Sequence, residues 1–175
     1  MTREKLSKCG LVEYGYGQVE PNHLSAQRTG QIYAQLPMAE SVEVLENGQF
    51  AKYNYADGVV DFAGEGEWML VFNAVKIYGD YDTEADFAMK AVKGATTGPV
   101  IGVTTDSVPR LFKTNVGDIF TTNTVKEAEV TEGAELYIGT DGYLTKEENG
   151  DMKWQIVKVY TMPDGQKAVK IMRIA

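Results

Sequence analysis

The sequence predicts a mainly β fold: an antiparallel β-barrel or β-sandwich with one short inserted helix, preceded by an extended N-terminal arm. Three observations carry that expectation. Asn47-Gly48, Asp57-Gly58, Asp141-Gly142, Asn149-Gly150 and Asp164-Gly165 are dipeptides that suit turns with positive φ, the strongest short-range hairpin signal. The runs between them are short, rich in Val, Ile, Thr, Tyr and Phe, and joined by connections too short for βαβ crossovers. The first 36 residues sustain neither a helical nor a strand period.

The arm, residues 1–36, contains Tyr14-Gly15-Tyr16-Gly17 and a polar stretch from Pro21 to Gln35. Its glycines loosen the backbone, yet Leu11, Val12, Tyr14, Tyr16, Ile32, Tyr33 and Leu36 remain as separate apolar anchors. Disordered tails are poorer in tyrosine and aliphatic residues. The arm is therefore expected to become ordered by lying on something, either its own body or a neighbouring subunit.

The single β domain, residues 37–175, is expected to hold strands at Val42–Glu46, Gln49–Tyr55, Val59–Phe62, Trp68–Val75, Val100–Thr105, Ile119–Thr124, Lys126–Val130, Glu135–Gly139, Gly142–Thr145, Met152–Thr161 and Lys167–Arg173. The helix is predicted to start at Thr83, with Asp86 completing a capping box, Ala85, Phe87, Ala88, Met89 and Val92 on its buried side, and Gly94 at its end.

At 175 residues the chain suits one domain that buries a full core without disulfides. Residues 1–20 lack the continuous apolar stretch of a secretory signal, which points away from export by that route. No apolar run reaches the ~18 residues of a membrane helix. The net charge of −8 argues against a nucleic-acid backbone as partner, because such binders cluster Lys and Arg. The charge is uneven: +1 over residues 1–36, −9 over 37–87 and 0 over 88–175. The acidic stretch reads as a solvated face or as a patch for a basic partner.

Catalytic patterns are weak. One cysteine, Cys9, and one histidine, His23, leave few routes to thiolate or imidazole chemistry, and both lie in the arm. None of Ser7, Ser25, Ser41 and Ser107 sits in a Gly-x-Ser-x-Gly elbow. The alternating acids of Asp80–Asp86 resemble a calcium loop, but Ala85 and Ala91 stand where its glycine and glutamate belong, so helix capping fits them better. Gly64-Glu65-Gly66-Glu67 and Gly94–Pro99 lack the features of phosphate loops. Tyr53, Tyr55, Trp68, Phe72, Tyr78, Tyr81, Tyr137, Tyr143, Trp154 and Tyr160 suit core packing first, with a protein interface or a sugar platform as alternatives.

Tyr14-Gly15-Tyr16-Gly17, Asn22–Tyr33, Glu46–Tyr53 and Gly66–Phe72 together resemble the small virion proteins of tailed bacteriophages encoded beside the major capsid protein. The Gly117-Asp118, Glu132-Gly133 and Asp141-Gly142 pattern is similar in style to phage capsid decoration, or cement, proteins. The likeness spans most of the chain and is compositional. It implies a structural virion protein on the capsid surface, made in the host cytoplasm, without cofactor, metal or catalytic residues. It further implies the major capsid protein as partner and a homo-oligomer, a trimer by analogy, with no membrane or nucleic acid. On that reading Tyr14, Tyr16, Ile32, Tyr33 and Leu36 are apolar anchors to the lattice and Arg28 an ionic contact. The alternatives are another virion component (head fibre base, tail or internal head protein) or a carbohydrate-binding module, with an enzyme third.

Overall fold

Within residues 4–74, 88–90 and 108–175, which the computed structural model describes, the chain runs through β1 (Val19–His23), α1 (Ser25–Thr29), β2 (Ile32–Tyr33), β3 (Val44–Glu46), β4 (Phe50–Asn54), β5 (Val59–Asp61), β6 (Met69–Val71), β7 (Ala88–Lys90), β8 (Leu111–Phe112), β9 (Ile119–Thr122), β10 (Glu135–Ile138), β11 (Leu144–Thr145), β12 (Trp154–Thr161) and β13 (Lys167–Arg173). The fold is mainly β, and its pairings between strands are antiparallel. One sheet has the order β1-β9-β13-β12-β10-β11, a second β2-β8-β6-β4-β5, and β3 pairs with β7.

The alternation of each strand decides which side chains meet. Phe120, Leu136, Ile138, Trp154, Ile156, Val169 and Ile171 of the six-stranded sheet share one core with Phe50, Leu70 and Phe112 of the five-stranded sheet. The two sheets thus form a sandwich. Its centre is a ring cluster in which Trp154 lies 5.6 Å from Phe50 and 5.1 Å from Phe120. The five-stranded sheet turns Ala51, Tyr53, Val60, Met69, Val71 and Leu111 the other way, into a second core closed by Met38, Ala39, Val42 and Leu45.

All five Asn-Gly and Asp-Gly turns carry the expected positive φ at glycine: Gly48, Gly58, Gly142, Gly150 and Gly165. β13 spans the predicted residues, and most other predicted strands are present with their ends trimmed. Lys126–Val130 is not a strand. Its start instead takes amide bonds from the arm, Gly10 to the Lys126 carbonyl and Leu11 to that of Val125.

The predicted helix from Thr83 has a different outcome where it can be followed: 88–90 are β7, in ladder with β3 through Val44↔Lys90, Leu45↔Met89 and Glu46↔Ala88. A partner strand outweighs local helix propensity there. Residues 83–87 and 91–94, the Asp80–Asp86 cluster and the predicted strand Val100–Thr105 lie outside the described residues. The short helix that is described, α1, lies in the arm. Gly30 closes it at φ 70°, and its first turn is capped from a distance, with the Asp118 carboxylate accepting bonds from the Ser25 amide (2.9 Å) and hydroxyl (2.8 Å).

Candidate functional site

Residues 4–36 lie along their own body and cross both sheets. β1 is the outer strand of the six-stranded sheet, in ladder with β9, and β2 is the outer strand of the five-stranded sheet, in ladder with β8. Leu11, Leu24 and Ala26 belong to the main core, and Cys9 and Val12 pack with Tyr143.

Three polar hubs fasten this seam. Glu46, fully buried, accepts bonds from the Ser7 hydroxyl (2.9 Å), the Gly17 amide (2.5 Å) and the Tyr143 hydroxyl (2.5 Å). Asp118 holds Ser25, as above, and the Asn115 amide at 3.0 Å. The Gln166 side-chain oxygen accepts from the amides of Glu13 (3.0 Å) and Tyr14 (3.2 Å), while Gln18 donates to Asp164 (2.7 Å). Each hub takes donors from the arm with a side chain of the body. A buried polar group without partners costs about 1–3 kcal/mol, so the arm and body satisfy each other.

Burial sets the chemistry around Glu46. Desolvation raises its carboxyl above the usual range, against the bonds from Tyr143, Gly17 and Ser7 that favour the charged form. Burial and the neighbouring Glu46 charge push the Cys9 thiol up, and do the same to the Tyr143 phenol. A thiol held protonated in this way is a poor nucleophile, and a carboxylate whose oxygens already serve three donors is a structural acceptor. Beside the cluster lies a cavity of ≈ 280 Å³ lined in part by Lys8, Glu43, Glu46, Phe62, Asp141 and Tyr143.

The residues expected to contact a partner fall into distinct places. Tyr16 is buried, and Tyr14 is half-buried, its hydroxyl donating to the Asp164 carbonyl. Ile32 packs against the main core, and Tyr33 and Leu36 pack against the second. Arg28, on α1, is exposed, as are Pro21, Asn22, His23, Gln27 and Thr29 around it. Cys9 and His23 are not brought together: Cys9 is buried beside Tyr143, whereas His23 is exposed opposite Ile119.

A tyrosine series leads outward from the second core. Tyr33 meets Tyr53 edge to face at 5.7 Å, and Tyr53 meets Tyr55 in the same way at 5.6 Å. Tyr53 is buried, whereas Tyr55 is 73% exposed. Trp154 is enclosed in the core, so of the two tryptophans Trp68 alone has surface to offer, and the Lys52 ammonium sits 4.6 Å from the centre of its ring.

Sequence reasoning missed Glu46, Asp118 and Gln166. Glu46 reads as the end of a strand and Asp118 as part of a Gly-Asp turn, and nothing in the string marks a carboxylate as the acceptor for donors up to 97 positions away. Compared with protein-family models, curated proteins and solved structures, the chain matches none.

Proposed function

We propose that this chain is a structural virion protein of a tailed bacteriophage that binds the outside of the capsid lattice and stabilises it by clamping neighbouring capsid subunits. The observation that carries this reading is the course of the arm. Its apolar side chains and three hubs hold it against both sheets, and the stretch around α1, with Arg28, faces outward at the rim of the sandwich. An arm already ordered loses little conformational entropy when it meets a second surface, which favours affinity per contact. Many weak contacts repeated over a shell then add by avidity. In this account Tyr14, Tyr16, Ile32 and Leu36 set the arm on its own body, Tyr33 shares that task with surface to spare, and Arg28 is the ionic contact to the lattice.

The test is co-sedimentation of the full chain with capsid shells that lack it. Arg28→Glu is expected to weaken binding about tenfold or more and to reduce its dependence on salt, the behaviour of a charged contact. Binding unchanged by Arg28→Glu refutes this role for the arm.

A further inference from the structure

Where glycine follows asparagine, the asparagine side chain and the glycine backbone nitrogen can react with each other, because glycine has no side chain to hinder the approach. Among the asparagines of this chain, only Asn47 and Asn149 precede a glycine. The fold puts these two in opposite surroundings. Asn47, in the turn between β3 and β4, is 3% exposed, and both ends of its side chain are bonded to Asn73: Oδ1 accepts from the Asn73 amide at 2.8 Å and Nδ2 donates to the Asn73 carbonyl at 3.0 Å. The Gly48 amide is committed to the Val71 carbonyl at 3.0 Å. A backbone nitrogen attacks only after losing its proton, and a buried, bonded N–H keeps it. Reaction at Asn47 therefore waits for that region to open.

Asn149, between β11 and β12, is exposed together with every residue from Lys146 to Asp151. Among the described residues the Gly150 amide donates to no protein group, and a Cβ at Gly150 would meet open space. The Asn149 Oδ1 takes no protein donor among the described residues either, so water reaches it and stabilises the negative charge that develops there under attack. Glu147, Glu148 and Asp151 oppose an amide anion nearby, but across water their effect is weak.

We propose that Asn149-Gly150 is a site of spontaneous deamidation that loosens the turn between β11 and β12. The Gly150 nitrogen gives up its proton and bonds to the Asn149 Cγ, the Cγ–Nδ2 bond breaks, and ammonia leaves with that proton. Water then opens the five-membered imide at either carbonyl, giving aspartate, or isoaspartate with the chain running through the side-chain carbon. No oxidant, metal or second protein takes part. The structural consequence turns on one bond: the Asn149 Nδ2 donates to the Ile138 carbonyl at 2.7 Å and ties the turn to β10. A carboxylate has no proton to give, so after reaction two acceptors face each other and the tie is lost. Isoaspartate also lengthens the backbone, and either product adds a negative charge beside Glu147, Glu148 and Asp151. β11 is the outer strand of the six-stranded sheet, so the change falls at the rim of the sandwich. This chemistry needs no partner and is independent of the capsid reading.

The test is to hold the full chain in warm, mildly alkaline buffer, folded or unfolded in guanidinium chloride, and to follow both dipeptides by peptide mapping with mass spectrometry. In the folded chain Asn149 is expected to convert faster than Asn47 by about tenfold or more, since Asn47 reacts only through local opening. In denaturant the two rates are expected to converge, because the folded surroundings alone separate them. Asn149→Gln, whose longer side chain would have to close a six-membered ring, is expected to stay intact. Hydrogen exchange over residues 146–151 is expected to quicken in the converted chain and in Asn149→Asp, which carries the product side chain from the start. An Asn149 that stays intact in the folded chain, or an Asn47 that converts as fast there, overturns the assignment. Exchange that is unchanged in the converted chain and in Asn149→Asp overturns the loosening.

Discussion

Glu46 sits where two segments of the arm and the β10–β11 hairpin meet, and its ionisation is coupled to folding. Because burial raises its carboxyl in the folded state, the folded chain holds that proton more tightly than the unfolded chain does. Its contribution to stability is therefore fully present below the unfolded value of about 4.3 and is lost as pH rises through the higher folded value. Thermal unfolding followed across this range is expected to show a decline in Tm that Glu46→Gln removes, whatever constant offset the substitution adds. A parallel pH profile in the variant contradicts this. Glu46→Ala orphans the Ser7, Gly17 and Tyr143 donors together and is expected to cost on the order of 3 kcal/mol or more, read from urea unfolding.

Two turns of like sequence show how far local chemistry governs the elements. Gly142, at φ 78° in the β10–β11 hairpin, lies against the chain of β4: a Cβ there would stand 2.0 Å from the Phe50 carbonyl oxygen. Gly150, at φ 70°, has open space around it. Gly142→Ala is expected to destabilise the fold by ~3 kcal/mol or more, since backbone has to move, whereas Gly150→Ala meets only the left-handed penalty of about 1 kcal/mol. Chemical denaturation of the two variants side by side decides it, and equal losses would contradict the contact. The sequence shows both as turns because Asn-Gly and Asp-Gly carry their own conformational preference. It does not show which of them another strand approaches. The same division explains the elements that were missed. β1 is polar and holds a proline, and β2 and β8 are only two residues long, so they become strands because a neighbour offers a ladder, as β3 does for β7. β12 and β13 are long, β-branched and flanked by Asp164-Gly165, so local signals alone reveal them.

At the scale of the whole molecule, the sequence marks the arm as distinct by its irregular pattern, and the structure makes it part of the sandwich. Leu11, Leu24 and Ala26 fill the main core and β1 completes a sheet, so removal of residues 1–36 is expected to expose that core and to yield a chain that aggregates or unfolds without cooperativity. A truncated chain with a sharp, wild-type-like unfolding transition contradicts the integration described above. Apolar anchors are legible in sequence, but their target is not: Tyr16 and Leu36 look the same whether they dock on their own body or on a neighbour, and the acceptors that fix the answer, Glu46, Asp118 and Gln166, come from distant parts of the chain. The exposed stretch around Arg28 anchors the proposed clamp on a capsid lattice. The most direct test is quantitative mass spectrometry of purified phage particles from the source, comparing copies of this protein with copies of the major capsid protein. The account predicts a fixed ratio near one to one or one to three, as a lattice-covering protein requires. A handful of copies per particle, or none, contradicts it.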